Sequence, residues 1–296
     1  MNYIVFDLEW NQAIDGQYIT EPMFLSGEII EIGAVKLNDA FQAVDELRLY
    51  IRPQYYTQMN QQVAALTKIN NSCLKRNGIP FPEAMERFWQ WCGEDFGFMT
   101  WSESDLDMLI ENLQLHHMDL SRLPVCYDIQ RIFDREIMRE NRQCNLDRAI
   151  EILGESGDRA HDALHDAKNT VLVCNHLDLE EYIDEYGAKV FAEQPRTQRY
   201  DSVAEGLTDP ANRVFTCPYC GEPVEIEGWI SLKFNRFMAM GVCGEEDEFI
   251  LYLTLTKTPQ GYRPARVLYE MSDDLWDQYQ DRLEERGFFN PQPAHT

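Results

Sequence analysis

Residues 3–11, Tyr3-Ile4-Val5-Phe6-Asp7-Leu8-Glu9-Trp10-Asn11, read as a buried β-strand that ends in acids. Tyr3 to Leu8 supplies aromatic and β-branched residues suited to a pleated, packed surface. Side chains alternate faces along a strand, so Asp7 and Glu9 point the same way. Two carboxylates side by side repel, and burying them unpaired costs several kcal/mol or forces one to hold a proton. A divalent cation removes that conflict, and hard cations such as Mg²⁺ and Mn²⁺ prefer oxygen ligands. Taken alone, the pair reads better as two acids at a fraying strand end, bonded to loop amides.

A second stretch changes that balance. Phe96 to Thr100 is a short apolar run, and Trp101-Ser102-Glu103-Ser104 leads from it to Asp105. Leu106, Leu109, Ile110 and Leu113 then recur at helical spacing, which places Asp105 near a helix start after a strand. Asp107 lies two positions on and faces elsewhere, so Asp105 is the candidate ligand and Asp107 a solvated acid. The plainer role for Asp105 is a first-turn acid complementing the helix dipole.

The third stretch is the most specific: His161-Asp-Ala-Leu-His165-Asp166-Ala167. It follows an amphipathic helix, Leu146 to Leu153, closed by Gly154, and a polar loop from Glu155 to Arg159. The pattern predicts a long helix from His161 to about Tyr186. Asp162 and Asp166, at i,i+4, would share one face, with His161 at the helix mouth. A histidine there can take a proton from an attacking water. A rival reading makes His161 and His165 zinc ligands at i,i+4, but it leaves Asp7 and Glu9 unexplained. His116-His117 has no such context and reads as a surface pair.

Together these residues resemble the DEDDh-type 3′–5′ exonucleases of the ribonuclease H-like superfamily, in the branch of the Eri and KapD-like enzymes. Phe6-Asp-Leu-Glu-Trp-Asn11 is similar to the first motif of that family. Trp101-Ser-x-x-Asp105-x-x-x-Leu109 is similar to the second, with Ser102 where glycine is common, and His161-x-Ala-Leu-x-Asp166-Ala to the third. Glu28-Ile-Ile-Glu31-Ile-Gly-Ala-Val resembles the second strand. Leu66-Thr67-Lys-Ile69 resembles the segment that abuts the 3′ end, with Lys68 replacing a glycine, and Asn145-Leu-Asp-Arg-Ala the helix before the third motif.

The resemblance spans roughly residues 1 to 185 and implies an α/β fold, a mixed five-stranded ribonuclease H-like sheet flanked by helices. It implies that Asp7, Glu9, Asp105 and Asp166 hold two Mg²⁺ or Mn²⁺ ions, with His161 as general base. The implied reaction removes nucleoside 5′-monophosphates from single-stranded 3′ ends of RNA or DNA. Leu8, Trp10, Leu66 and Thr67 are the implied substrate contacts. Trp10 would stack on a terminal base, a contact of about 1–3 kcal/mol, and reads equally as an aromatic covering the core.

Composition fits an intracellular enzyme. Of 296 residues, 44% are hydrophobic, enough for a sizeable core. Asp7 and Glu9 occupy the place where a signal peptide would run apolar. No stretch approaches the roughly 20 apolar residues of a membrane span, so no membrane is expected. Eight scattered cysteines predict reduced thiols and a cytoplasmic location.

Charge opposes a long polyanionic substrate. The chain carries 51 acidic and 26 basic residues, a formal net charge of −25, whereas nucleic-acid binders usually carry a basic patch. This predicts short substrates, weak contact, or docking through a protein partner. The exception is Arg131, Arg135, Arg139 and Arg142, spaced along an expected helix, a stripe that suits a phosphate backbone but pairs better with the interleaved Asp134, Glu136 and Glu140. Two other readings follow: a phosphodiesterase of dinucleotides or other small phosphodiesters, and a silent nucleic-acid or protein adaptor.

Strands are predicted at Tyr3–Leu8, Glu28–Leu37, Phe41–Ile51, Phe96–Trp101 and Val125–Asp128, with helices near Gln61–Asn70 and Pro82–Cys92. Residues 1–186 would form the catalytic domain. Residues 187–212 lose periodicity and carry Pro195, Gly206 and Pro210, so they read as a linker. Residues 213–296 would form a small β-rich, zinc-ribbon-like domain with strands near Glu225–Ser231 and Glu248–Thr256 and a helix near Asp273–Arg286. Cys217-Pro-Tyr-Cys220-Gly has the look of a zinc knuckle, and Cys243-Gly244 of a second. No cysteine follows Cys243, and the next histidine is His295, so Zn²⁺ binding competes with a metal-free turn. The run Glu245-Glu-Asp-Glu248 argues against direct polyanion contact.

Overall fold

The computed structural model describes residues 1–139, 143–158, 160–244 and 247–289. The chain divides into two compact units, one of Met1–Met118 with Pro124–Asp184, the other of Asp119–Leu123 with Glu185 onward.

The first unit is built on the expected sheet. Strands β1 (Asn2–Asn11), β2 (Glu28–Leu37) and β3 (Ala43–Tyr50) form an antiparallel meander. Strand β4 (Phe96–Thr100) runs parallel beside β1, and β5 (Val125–Asp128) parallel beside β4. The order is therefore β3-β2-β1-β4-β5, a mixed sheet with β1 at its centre. Central strands are buried on both faces, and Ile4, Val5, Phe6 and Leu8 are all within 3% of full burial.

Helices α1 (Gln61–Thr67), α2 (Asn71–Asn77), α3 (Phe81–Cys92), α4 (Glu103–Leu115), α5 (Ile129–Phe133), α6 (Leu146–Leu153), α7 (Ala163–Cys174) and α8 (Leu179–Tyr186) complete the order. The apolar stripe Phe81, Ala84, Met85, Phe88, Trp89 of α3 is buried, and the Phe88 ring meets Phe6 and Phe98 at 6.0 and 5.7 Å. On α4, buried Asn112 accepts from Ile29 N–H (3.2 Å) and donates to Gly27 O (3.1 Å), tying that helix to the start of β2. Helix α7 lies against β1 and β2. Its approach leaves no room at Gly33, where a Cβ would sit 2.0 Å from Leu164 N and 2.1 Å from the Ala163 carbonyl carbon.

Three expected helices are interrupted. The one over 61–70 stops at Thr67, because Lys68 turns into the left-handed region (φ 63°) and Asn70 caps a new helix, α2. The long helix from His161 to Tyr186 begins only at Ala163 and breaks after Cys174. Asp162 is its N-cap, accepting from His165 N–H at 3.1 Å, and does not share a helical face with Asp166. The arginine stripe has no continuous helix to lie on. Residues Asp134–Met138 form a π-helical turn, and Arg139 is left-handed (φ 53°). Arg142 and Glu140 fall outside the described residues, as do Arg159, Glu245, Glu246 and His295. Of the expected surface pair, His117 is exposed, whereas His116 is half-buried and stacks on Phe81 at 4.8 Å.

The second unit is antiparallel. Strand β6 (Ala188–Ala192) pairs with β12 (Gly261–Glu270), which pairs with β11 (Asp247–Thr258), then β10 (Arg236–Cys243) and β9 (Ile230–Ser231). A hairpin of β7 (Val214–Thr216) and β8 (Pro223–Glu225) and the helix Asp273–Arg286 complete it. Residues read as a linker, 187–212, contain β6 and the helices Val203–Thr208 and Pro210–Arg213. Tyr200 and Leu207 from that stretch are core residues beside Phe215, Trp229 and Phe249. Buried Arg266 donates to Ala211 O (2.9 Å) and Val214 O (2.8 Å) and pairs with Glu193, binding the stretch to β12. No helix among the described residues is long and apolar enough to cross a membrane.

Candidate active site

The acids predicted from sequence converge at the centre of the first unit. Strand alternation brings Asp7 and Glu9 to one face of β1, and α7 delivers Asp166 above them. One oxygen of each of these three carboxyls lies within 4.8 Å of the others. Asp105, in the first turn of α4, joins through the backbone: its Oδ1 accepts from Leu8 N–H at 3.0 Å. Asp105 is 6% exposed, and the residue whose amide it holds, Leu8, lies between Asp7 and Glu9 in sequence.

Burial and mutual repulsion make these carboxyls costly to ionise together. Asp7 is pushed well above the ordinary carboxyl range by burial first, then by Asp105, Asp166 and Glu9. Glu9 is pushed up to about 8 by burial, then by Asp166 and Glu31. Burial raises Asp105 to about 7 against the opposing Leu8 N–H bond. Asp166 is raised by burial, offset by the His161 N–H bond and the nearby His161 side chain. All donors are carboxylate oxygens, the ligand class of Mg²⁺ and Mn²⁺, and a divalent cation would favour the fully ionised cluster. The residues present therefore fit such ions.

His161 is exposed just before α7, with φ 62°, and its N–H donates to Asp166 Oδ2 at 2.8 Å. His165 instead turns to Asp162, with Nδ1 at 3.6 Å from Oδ1. The two histidines do not share a helical face: His161 lies outside α7, and His165 sits in its first turn.

The profile of the exonuclease family (RNase_T) matches residues 19–174, more than half of the chain. The chain belongs to this exonuclease family. Asp105, His161 and Asp166 lie within the matched segment, and Asp7 and Glu9 precede it. No curated protein sequence matches the chain. Solved structures share the fold. The nuclease domain of 3′hExo, a DEDDh family member bound to rAMP, has 23% identity and a TM-score of 0.53, covering 61% of this chain and 92% of its own. Cell-death related nuclease 4 (CRN-4) has 17% identity and a TM-score of 0.53 over 75% of this chain and 86% of its own. E. coli Exonuclease I in complex with a dT13 oligonucleotide has 11% identity and a TM-score of 0.50, over 81% and 55%. At these identities the likeness is one of fold.

The residues expected to touch substrate in this exonuclease differ in availability. Leu66 is 52% exposed on α1. Thr67 is buried and spends its hydroxyl internally, donating to Val63 O and accepting from Ile69 N–H, both at 3.0 Å. Trp10 is half-buried over Gly27, where a Cβ would meet its Cδ1 at 2.4 Å. Leu8 does not fit the expectation. Its side chain is 3% exposed on the opposite face from Asp7 and Glu9, and its amide is taken by Asp105.

Sequence reasoning missed four supporting residues of the exonuclease. Glu31, opposite Glu9 on β2, is 1% exposed and raised to about 7 by burial, against the opposing pull of Arg48. Arg48 on β3 reaches Glu31 (Nε to Oε1 3.5 Å) and also pairs with Asp162, so a single guanidinium fastens the mouth of α7 to the sheet. Asn169 donates to Asp166 Oδ1 (3.4 Å) and accepts from Asp158 N–H (2.7 Å). Asn11, fully buried at the end of β1, donates to Tyr56 O (2.8 Å) and accepts from Asn60 N–H (2.9 Å), anchoring the approach to α1. For Asn11 and Glu31 the sequence signal was a polar residue in an otherwise apolar strand; Arg48, on a polar strand, and Asn169, on α7, carried no such signal.

Away from the acids, Cys217, Cys220 and Cys243 meet in the second unit, with each sulfur within 4.8 Å of the others.

Proposed function

We propose that this exonuclease hydrolyses the 3′-terminal phosphodiester of single-stranded RNA or DNA and releases nucleoside 5′-monophosphates. The observation that carries the reading is the convergence of Asp7, Glu9 and Asp166, with Asp105 bonded to the backbone between the first two. These four carboxylates would hold two Mg²⁺ or Mn²⁺ ions. Such ions, when bound, make water a better nucleophile and stabilise charge on a departing oxygen.

The chain's own groups supply the rest. His161, exposed beside Asp166, takes the proton of the attacking water, and Asp166 fixes its backbone by accepting its N–H. The bond that breaks joins phosphorus to the 3′ oxygen of the penultimate nucleotide. Leu66 presents an exposed apolar edge for the terminal nucleotide, and the open part of Trp10 a stacking surface. The net charge of −25 favours short strands and weak, salt-sensitive contact. A cytoplasmic setting, and docking of a protein partner through the second unit, belong to the same reading.

The test is a 5′-labelled single-stranded RNA and DNA incubated with Mg²⁺, Mn²⁺ or EDTA, beside an Asp7→Ala, Glu9→Ala variant. A ladder shortening from the 3′ end, lost with EDTA and in the variant, is expected. Cleavage of a dinucleotide without any ladder would replace this reading with that of a small-phosphodiester hydrolase. No cleavage of either would leave an adaptor.

A further inference from the structure

The turn joining β7 to β8 is Cys217-Pro-Tyr-Cys220-Gly-Glu222. Cys217 N–H donates to Glu222 O (2.9 Å) and Gly221 N–H to Cys217 O (3.0 Å), and Gly221 takes φ 81°, a conformation that glycine adopts freely. The N–H groups of Tyr219 and Cys220 bond the Cys217 sulfur. Cys243, at the end of β10, brings a third sulfur, 3.4 Å from that of Cys220. A disulfide would need about 2.05 Å. Sulfurs bound at about 2.3 Å to one tetrahedral Zn²⁺ are separated by about 3.8 Å.

Three thiolates leave one corner of a tetrahedron. The strand register supplies it. Cys243 and Asp247 are cross-strand partners where β10 meets β11, and Asp247 Oδ2 lies 4.0 Å from Cys217 Sγ. A sulfur and a carboxylate oxygen on one Zn²⁺ would stand about 3.5 Å apart. The register therefore brings a carboxylate four residues after Cys243. Its oxygen reaches towards Cys217 but lies outside the 4.8 Å grouping of the three sulfurs, so closing the tetrahedron requires the Asp247 side chain to turn inward.

We propose that Cys217, Cys220, Cys243 and Asp247 form a structural zinc site of three thiolates and one carboxylate. Soft sulfur donors select Zn²⁺ over Mg²⁺. Closed four-ligand sites of this kind contribute to folding and leave no position for substrate. The ion pins the β7–β8 turn to the facing ends of β10 and β11 beside Cys217, which is 1% exposed in the core of the second unit.

The test uses the full chain, purified without chelators from zinc-supplemented medium, with metal content from plasma mass spectrometry and ligands from zinc-edge X-ray absorption. One zinc per chain with a shell of three sulfurs and one oxygen is expected, and Cys220→Ser should lose that sulfur shell. Asp247→Ala keeps all three thiolates. It should release zinc to a chromogenic chelator on the order of 10–100-fold more readily, at least the effect of losing an outer-shell partner. A chain without zinc, an oxygen-only shell, or a Cys220–Cys243 disulfide seen by intact mass would overturn the site. Unchanged release from Asp247→Ala would overturn the carboxylate assignment.

Discussion

The backbone N–H of Leu8 donates to Asp105 Oδ1 at 3.0 Å, joining positions 97 residues apart. The bond uses the amide of Leu8, the residue between Asp7 and Glu9, so the acid on α4 is registered against the two acids on β1 by main chain. Side-chain rotamers could relax, whereas this amide is fixed by the sheet. Asp105→Asn keeps an oxygen for Leu8 N–H but gives up the charge. We expect a thermal midpoint equal to or above that of the parent, because a buried ionisable group is removed. Exonuclease turnover should fall by roughly 10²–10³-fold, the usual cost of losing a preorganised electrostatic group. Calorimetry beside a labelled-strand assay checks both, and a fall in midpoint would show that the charge holds the fold.

Without divalent ions, the carboxyl cluster makes stability depend on pH. The folded-state pKa values of Asp7, Glu9 and Asp105 are raised, the last two to about 8 and about 7. A carboxyl whose folded pKa lies above its unfolded value contributes stability that is full below the unfolded pKa, near 4, and lost as pH rises through the folded pKa. The metal-free protein should therefore lose midpoint progressively between about pH 4 and about pH 8. Mg²⁺ or Mn²⁺ should restore most at the alkaline end. Thermal melts in EDTA across that range test this, with Asp7→Asn, Glu9→Gln as the comparison. An equal slope in the variant would assign the pH dependence elsewhere.

Arg48 is the counter-charge for Glu31 and the tether for Asp162. Arg48→Ala leaves a carboxyl that is 1% exposed without its cation. The expected loss is about 1–3 kcal/mol, below the 3–5 kcal/mol of a fully buried pair because the guanidinium is partly solvated. Turnover should fall as well, since the mouth of α7 is freed. Adding Glu31→Gln to Arg48→Ala should recover stability, because a neutral amide needs no cation, but not turnover. Urea melts of the double-mutant cycle decide; strictly additive losses would mean that the two residues do not interact.

His161 offers a separation of chemistry from folding. It is exposed and left-handed at φ 62°, and asparagine tolerates that backbone region better than most residues. His161→Asn should thus melt like the parent while turnover falls by about 10²–10⁴-fold, the range for a general base. Unaltered turnover would remove His161 from the proton transfer.

Much of the centre could be read from residue order because strand alternation and helix starts are local. Asp7 and Glu9 share a face by period, and Asp105 follows from an apolar strand and a helical repeat. The five strands of the first unit were legible for the same reason. What escaped was decided by distant partners. Glu31 and Arg48 matter only because β2 and β3 pair and α7 lands above them. Lys68 and His161 turn left-handed with no glycine to announce it. Residues 187–212 lack periodicity, yet Tyr200 and Leu207 are held by the β-sheet of the second unit. Asp247 was invisible as a partner of Cys243 until the β10–β11 register placed them side by side.

Gly33 sets a dimension of this enzyme through an atom it lacks. Any β-carbon there would overlap the main chain at Ala163 and Leu164. The gap between the sheet and the third motif is thus a spacer of zero thickness, and the reach of Asp166 towards Asp7 and Glu9 is gauged by a residue with no functional group. The second strand and the third motif are consequently free to vary only as a matched pair of surfaces. Grafting either onto another chain would succeed or fail at this chemically silent position before any carboxylate was consulted.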